Sequence, residues 1–283
     1  MTKLALLFAT IALSACISGE SPPPPMTFDE FVAAHIQQDQ GADGQIYLSY
    51  DWDTPLASMD EVKQLYAAYV EVKQSGEQVS ESIVATAGGR DVIWPVGLRT
   101  NLTYCVSNSF AGNKAAVVQA MSTATAAWAT ASDSRVKFVY APAQDATCTN
   151  TNTAVVFNVV PIQQQSGLYA RAFFPNETRA NRQVLINLVN AFAPNPTFPL
   201  AGILRHELGH SLGLRHETIR KATAAEYGTQ CLEDMFYRDV IKLYDDESVM
   251  ITPACLGSAE VLASNPRLDI SFFDGIGIKK LYR

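Results

Sequence analysis

Histidine is concentrated in one short segment of the chain. Three of the four histidines, His206, His210 and His216, stand within eleven residues in the segment RHELGHSLGLRHE. Imidazole is the commonest side-chain ligand for metal ions in proteins, so this clustering predicts a metal site. His35 lies far from the cluster, and we expect it to be a surface or packing residue.

The spacing of the first two histidines predicts that they share one face of a helix. His206 and His210 are four residues apart within FPLAGILRHELGHSLG, a segment that predicts a helix beginning near residue 199 or 200. Such a helix directs two imidazoles into a cleft. Leucines recur on roughly the opposite face, which we expect to be buried, namely at Leu204, Leu208 and Leu212.

The third histidine completes a ligand set that is typical of catalytic zinc. Gly213 is expected to end the helix, because glycine readily takes the left-handed conformation of a C-cap. The turn that follows brings His216 back as the third ligand. Catalytic zinc sites have three protein ligands and a water, whereas structural sites are closed by four protein ligands. We therefore predict Zn²⁺ as the cofactor.

The residue next to the first histidine is the expected general base. On a helix, Glu207 is rotated by about 100° from His206, which displaces it from the row of ligands. From there it can take the proton of a water that attacks a peptide carbonyl, and deliver that proton to the leaving amine. Zinc activates the water and polarises the carbonyl. The predicted reaction class is metal-assisted amide hydrolysis.

Composition and net charge limit the classes of protein to which the chain can belong. The net charge is −7, from 21 basic and 28 acidic residues, and no basic block is present. The charge pattern of a nucleic-acid-binding protein is therefore missing. A hydrophobic content of 48% with 17% charged residues predicts a chain with a sizeable folded core.

The N-terminus predicts export and a lipid anchor. Residues 1–15 combine Lys3 with a ten-residue apolar run, as secretory signal peptides do. The sequence LSAC resembles a bacterial lipobox, which implies cleavage before Cys16 and a diacylglycerol on its thiol. Residues 16–25 contain a proline run and predict a stiff, lipid-anchored linker. We expect a protein at a bacterial outer membrane or cell surface, bound to the membrane through this lipid.

Four cysteines remain after Cys16, and an even number in an exported chain favours disulfides. Three pairings are possible. Sequence order favours one bridge on each side of the histidine segment, as Cys105–Cys148 and Cys231–Cys255. A zinc site made of cysteines is the alternative, but no C-x-x-C spacing supports it.

The rest of the chain divides into two regions. Residues 26–88 contain two segments with helical periodicity, and the sequence ATAGGR at their end predicts a flexible, cleavable joint. Residues 89–283 begin with a strand, NLTYCVS, and a helix, NKAAVVQAMSTATAAWATA, for which Asn113 is the expected N-cap. Four β-rich runs follow before the histidine helix. This order predicts a twisted sheet with helices packed on it.

HELGHSLGLRHE resembles the zinc segment of the metzincin endopeptidases, most closely the astacins and bacterial secreted HEIGH-type enzymes. YDDESVMITPAC resembles the Met-turn of that clan, with Met250 as the methionine beneath the metal. The resemblance covers about Trp94 to Tyr282. It implies an α+β fold: a twisted mixed sheet with two long helices above the cleft, and an irregular lower subdomain with a C-terminal helix. It also implies an edge strand at 168–172 that binds peptide substrate by strand addition.

Two positions bear on how far the resemblance extends. Astacins have tyrosine two residues after the Met-turn methionine, where this chain has Thr252. Three tyrosines are candidates for the missing role, namely Tyr227, Tyr237 and Tyr244. In astacins the glutamate that follows the third histidine, here Glu217, pairs through water with the mature N-terminus. The alternative is that Glu217 is an ordinary surface carboxylate.

The resemblance also implies a zymogen. Residues 26–88 are then an inhibitory pro-segment that is cut near AGGRD, which would release the peptidase from its anchor. Asp51 or Asp53 is the candidate for blocking the zinc, although either aspartate could simply shape a turn.

A competing hypothesis is a non-catalytic lipoprotein that has the same metzincin-like fold and binds peptides or glycans. The intact Glu207 favours the enzyme. A structural zinc lipoprotein is the third hypothesis. The sequence leaves the natural substrate, the cleavage preference and the oligomeric state open.

Overall fold

The computed structural model describes residues 26–40, 46–50, 54–56, parts of 58–70, 84–163, 167–220, 237–240 and 245–283. The predictions for residues 1–25 with Cys16, and for Asp51, Asp53 and Cys231, lie outside these residues, as do Tyr227 and Tyr244. Among the helices of the described part, none has the length and apolar character needed to cross a membrane.

The described part of the chain contains both helices and strands. The helices are α1 (Phe28–His35), α2 (Lys114–Ala131), α3 (Leu188–Ala191), α4 (Leu200–Ser211), α5 (Pro253–Leu256), α6 (Ser258–Ser264) and α7 (Phe272–Leu281). The strands are β1 (Ile36–Gln40), β2 (Ile46–Tyr50), β3 (Thr54–Leu56), β4 (Val84–Ala87), β5 (Arg90–Asp91), β6 (Leu102–Val106), β7 (Phe138–Tyr140), β8 (Phe157–Ile162), β9 (Ala170–Arg171), β10 (Gln183–Asn187) and β11 (Tyr237–Arg238).

A five-stranded sheet forms the centre of the larger region, with the strand order β7-β6-β8-β10-β9. Four strands are parallel, and β9 is the antiparallel strand at one edge. Every residue of β8 and β10 is buried, as expected for strands covered on both faces. The predicted α+β fold, with a mixed sheet and helices packed on it, is confirmed.

Two long helices cover one face of the sheet, as predicted. Helix α2 packs against α4, and its apolar side chains at helical spacing lie in the main core. Trp128 on α2 also donates its indole N–H to the carbonyl of Arg205 over 2.9 Å, which ties the two helices together. Asn113 is the N-cap residue of α2, as expected, but its side chain makes no capping hydrogen bond.

The region of residues 26–70, which we call the N-terminal block, has a small core of its own. Phe31, Leu56 and Val62 are its buried apolar residues. The predicted first helix is shorter than expected, because the chain turns into strand β1 at Ile36. The block reaches the opposite face of the five-stranded sheet through Tyr47, whose ring packs against Val160, Ile162, Leu168 and Leu185.

The segment expected to be a flexible joint is an ordered β-hairpin. Strands β4 and β5 are joined by Gly88 and Gly89, whose φ angles of 55° and 73° suit a two-residue hairpin turn. Val84, at the start of the hairpin, is fully buried in the main core. The glycines therefore shape a turn within the larger region. As a processing boundary, the division between residues 88 and 89 stays a prediction.

One of the two favoured disulfide pairings is present within the described residues. Cys105 and Cys148 are bonded, with 5.7 Å between their Cα atoms. This bridge ties strand β6 to the loop that follows β7. Cys255 is also disulfide-bonded, whereas Cys231 lies outside the described residues.

Candidate metal centre

Helix α4 carries the first two histidines and Glu207 at the bottom of a cleft. Its three predicted leucines are fully buried, so the helix is anchored by the face opposite its imidazoles. It begins after Pro199, and the chain leaves it at Gly213, where φ is 91°. Both ends agree with the prediction from sequence.

The three histidines of the cluster converge on one point. Nε2 of His216 lies 3.2 Å from Nε2 of His206 and 3.2 Å from Nε2 of His210. Two nitrogens bound to one tetrahedral zinc ion at about 2.05 Å lie about 3.3 Å apart. The spacing of the imidazole nitrogens therefore fits a single zinc ion. His35 is the last residue of α1.

Backbone carbonyls fix the orientation of two imidazoles. Nδ1 of His206 lies 2.7 Å from the carbonyl oxygen of Val249, and Nδ1 of His210 lies 2.9 Å from that of Leu214. A carbonyl oxygen can only accept, so Nδ1 carries the proton in both rings. Each Nε2 then presents a lone pair to the centre, which is the tautomer that a metal requires.

The arrangement of lone pairs also favours a bound cation. With Nδ1 protonated in His206 and His210, both of their Nε2 atoms are acceptors. Nε2 of His216 can donate one proton to one of them, which leaves two lone pairs facing each other at hydrogen-bond distance. A divalent cation among the three buried rings removes this conflict. Among the described residues, these histidines form the group of potential ligands that could hold a metal ion.

Met250, the expected methionine of the Met-turn, packs against Gly209 of helix α4, one residue before His210. Its position beneath a metal stays a prediction. The side chain is fully buried. A Cβ at Gly209 of helix α4 would overlap its sulfur, so an alanine there would force the methionine side chain to shift. The carbonyl of Met250 accepts from the backbone N–H of Glu217 over 2.9 Å, which joins the turn to the segment of the third histidine.

Glu217 is fully buried, so the alternative of a surface carboxylate is wrong. Its Oε1 accepts the backbone N–H of Asp245 over 3.0 Å. Asp245 is itself buried and accepts a short hydrogen bond from the hydroxyl of Ser271. Glu217 thus holds the backbone at Asp245, in the segment that leads to Met250. Its pairing with a mature N-terminus stays a prediction.

A positioning residue that the sequence reasoning missed is Asp274 on α7. Its carboxylate accepts from the hydroxyl of Ser248 over 2.7 Å and from the backbone N–H of Val249 over 2.8 Å. Asp274 therefore holds the backbone of Val249, and the carbonyl of Val249 orients His206. Burial raises the pKa of Asp274 to about 6, and the hydrogen bonds from Ser248, Val249 and Ser271 oppose that rise. The capping-box spacing of Ser271 and Asp274 was its signal in the sequence.

An apolar cavity of about 280 Å³ opens beside Glu207 and His206. Glu207 is almost fully buried but lines this cavity. Thr252, at the position where astacins have tyrosine, forms part of its wall. Tyr237, a candidate for that role, lies instead in β11 and pairs with Ala85 of β4. The apolar part of the wall consists of Leu168, Phe198, Ile203 and Leu268.

Strand β9 forms the upper rim of the cavity, within the predicted segment 168–172. Tyr169 accepts from the backbone N–H of Asn187 over 2.9 Å, so its carbonyl faces β10. Because backbone groups alternate along a strand, the N–H and carbonyl of Ala170 face away from β10. The side chains of Asn187 and Asn190 both donate to the carbonyl of Leu168, which fixes the strand at the cleft.

Three converging imidazoles, two of them with fixed tautomers, a carboxylate on the same cavity and a sheet edge above it define the site of a zinc metallopeptidase. The Matrixin family model matches residues 96–240, which is about half of the chain and includes all three histidines. The chain therefore belongs to the matrixin family of zinc-dependent endopeptidases. The closer likeness to astacins and HEIGH-type enzymes stays a prediction.

No curated protein matches the chain. A chain in a solved structure titled "Structure of a chaperone-substrate complex" is 16% identical over 71% of this chain, with a TM-score of 0.29. The match covers 38% of that chain, so this protein spans less than half of its length. A TM-score that low does not indicate a shared fold.

Proposed function

We propose that the protein is an exported zinc endopeptidase in which Glu207 is the general base. The observation that carries the proposal is the convergence of three Nε2 atoms, with two spacings of 3.2 Å, next to a cavity that His206 and the buried Glu207 both line. When bound, zinc supplies an activated water and polarises the carbonyl of the substrate.

The residues of the chain divide the remaining work. Glu207 takes a proton from the attacking water and passes it to the nitrogen of the leaving amine. Val249 and Leu214 keep Nδ1 of His206 and His210 protonated, so that both Nε2 atoms stay directed at the metal. Burial of all three imidazoles excludes competing water from the ligand shell.

The cleft supports an extended peptide as substrate. Among the described strands, β9 is an edge strand, and at Ala170 it presents one N–H and one carbonyl on the side away from β10. A peptide that adds as an antiparallel strand satisfies both. The cavity below is lined mainly by apolar side chains and has room for a large aliphatic or aromatic residue. We propose that such a residue adjoins the scissile bond.

Replacement of the proposed base tests this function directly. In Glu207→Gln the shape of the side chain is kept and the basic oxygen is lost. We expect kcat on an unstructured protein such as casein to fall about 10²- to 10⁴-fold, with the zinc content unchanged. Glu260→Gln, at an exposed glutamate on α6, is the matched control and should keep full activity.

Two outcomes of this test contradict the proposal. Undiminished hydrolysis by Glu207→Gln would remove the general base from the mechanism. No chelator-sensitive hydrolysis by the parent protein, despite stoichiometric zinc, would favour the peptide- or glycan-binding lipoprotein instead.

Export and anchoring through Cys16 remain part of the proposal. The Cys105–Cys148 disulfide supports export, because such bonds persist in oxidising compartments. We expect a diacylglycerol on Cys16, and mass spectrometry of the purified protein should detect it. Cys16→Ala should then abolish partition into detergent. If the parent protein and this variant partition alike, the anchor is excluded.

A further inference from the structure

The hairpin Val84–Asp91 lies directly against the segment that joins the second and third histidines. Ala85 donates its backbone N–H to the carbonyl of Gly213 over 2.8 Å. One residue earlier, Val84 forms an antiparallel bridge with Leu214. Leu214 also supplies the carbonyl that accepts from Nδ1 of His210. The backbone of β4 therefore holds in place the carbonyl that orients a zinc ligand.

A second route connects the hairpin to the same imidazole through side chains. Ala85 and Val92 form a small buried apolar cluster with Phe174. The Phe174 ring stands nearly perpendicular to the ring of His210, with 5.7 Å between their centroids. The guanidinium of Arg215, the neighbour of the third histidine, lies 5.8 Å from the centre of the same aromatic ring.

The fit between hairpin and ligand segment is close. Gly213 has a φ of 91°, and a Cβ at this position would overlap the carbonyl oxygen of Val92. With Val92, the residue that follows the hairpin, in this position, the segment that carries His216 can take its path only with glycine at 213.

We propose that β4, through Val84 and Ala85, is a positioning element of the zinc site and belongs to every active form of the peptidase. This inference rests on the proposed function.

The inference also limits where the chain can be cut during processing. A cut between Gly88 and Arg90 would leave β4, the middle strand of the β11-β4-β5 sheet, on the removed segment. A removable N-terminal segment must therefore end before Val84.

A pair of proline variants of the full chain tests the positioning role. Ala85→Pro removes the N–H that reaches Gly213. Ala87→Pro places the same change two residues along the strand, opposite Arg90 and beyond the contact with Gly213. Zinc affinity is measured by competition with a chromogenic chelator, and thermal unfolding is measured on the metal-free proteins.

We expect both prolines to lower the unfolding temperature, and only Ala85→Pro to weaken zinc binding. A loss of about tenfold or more is the usual effect of disturbing the group that orients a metal-bound histidine. Equal zinc affinities for the two variants would overturn the proposal. Neither measurement depends on peptide hydrolysis, so failure here is distinguishable from failure of the Glu207→Gln test.

Amide hydrogen exchange on the unaltered protein decides the question if Ala85→Pro does not fold. Coupling is reciprocal, so zinc binding must stabilise β4 if β4 favours zinc binding. Zinc should slow exchange of the Ala85 amide about tenfold more than that of the Lys137 amide, which bonds to Arg99 elsewhere in the fold. Equal slowing at the two amides would mean that zinc stabilises the whole domain without a specific link to the hairpin.

The restriction on processing has its own test. Mass spectrometry of the zinc-loaded, hydrolytically active protein should find residues 84–91 in every active species. An active species that begins at Arg90 or later would overturn the proposal.

Discussion

The imidazoles of the zinc site are oriented by backbone carbonyls, whereas the N-terminal block meets the sheet through the side chain of Tyr47. The carbonyls of Val249 and Leu214 belong to segments that are buried and bonded on both sides. Tyr47 instead inserts one ring among four apolar residues, with its hydroxyl bonded to the amide of Gln183. We expect the first attachment to hold atoms to fractions of an ångström, and the second to be weak enough for the block to separate as a unit. We therefore predict a rigid catalytic region combined with a detachable block.

The largest effect is expected where the rigid region tolerates no extra atom. Gly213→Ala adds a Cβ that overlaps the carbonyl oxygen of Val92, at a φ of 91°. Strain and overlap together should lower the free energy of unfolding by about 3 kcal/mol or more, and weaken zinc binding. Urea unfolding and chelator competition measure the two effects.

Gly89→Ala separates backbone strain from overlap. Its φ is 73°, but a Cβ there meets nothing within 4 Å. Only the left-handed backbone is disfavoured, at a cost of about 1 kcal/mol, and zinc affinity should not change. Equal destabilisation by both alanines would show that the contact between hairpin and ligand segment is loose.

An effect smaller than that of Gly213→Ala depends on pH and on Asp274. Its pKa is raised by burial to about 6 in the folded protein, against an ordinary value of 3.8. The folded state then binds the proton more tightly than the unfolded state. Stability from this group is therefore present below about pH 4 and is lost as the pH rises through about 6, by about 2 to 3 kcal/mol.

Asp274→Asn should remove that dependence. Relative to the parent protein, the variant should gain about 2 kcal/mol between pH 4.5 and pH 7.5, as measured by urea unfolding of the metal-free proteins. The comparison cancels the titration of the histidines, which both proteins share. Asp246→Asn, at an exposed neighbouring carboxylate, is the control and should follow the parent protein. An unchanged difference between Asp274→Asn and the parent would contradict the raised pKa.

Much of the rigid region could be predicted from the sequence, because its elements have local signals. The leucines of α4 repeat at helical spacing, and Gly213 ends the helix where a left-handed residue is required. The two histidines four residues apart place the first ligands on one face. Each inference needs only the geometry of one element.

The groups that orient the ligands could not be predicted in this way. Every residue has a backbone carbonyl, so the residue types at Val249 and Leu214 do not identify these two carbonyls as acceptors for imidazole. The glycines of ATAGGR indicated flexibility, but flanking strands that pair with distant residues turn the same pair into a hairpin tip. Tertiary pairing of this kind has no local pattern.

The smallest effect on the zinc site is expected from the attachment of the N-terminal block. Tyr47→Ala removes a ring that is almost fully buried between the block and the outer face of the sheet. Truncating a buried aromatic residue costs about 3 kcal/mol, so the detached state should become about 100-fold more populated. Trypsin should then cut after the exposed Lys63 correspondingly faster, in a Glu207→Gln background that excludes self-cleavage.

Zinc affinity should stay within about twofold of the parent protein in Tyr47→Ala, because none of the carbonyls that orient the imidazoles belongs to the block. Tyr47→Phe keeps the ring and loses only the hydrogen bond with Gln183, so trypsin cleavage should rise by about tenfold at most. If Tyr47→Ala weakened zinc binding as strongly as Gly213→Ala, the block would be coupled to the ligands. The contrast between a detachable block and a rigid site would then be lost. Leu168, which packs against Tyr47 and also lines the cavity, would be the residue that couples the block to the cleft.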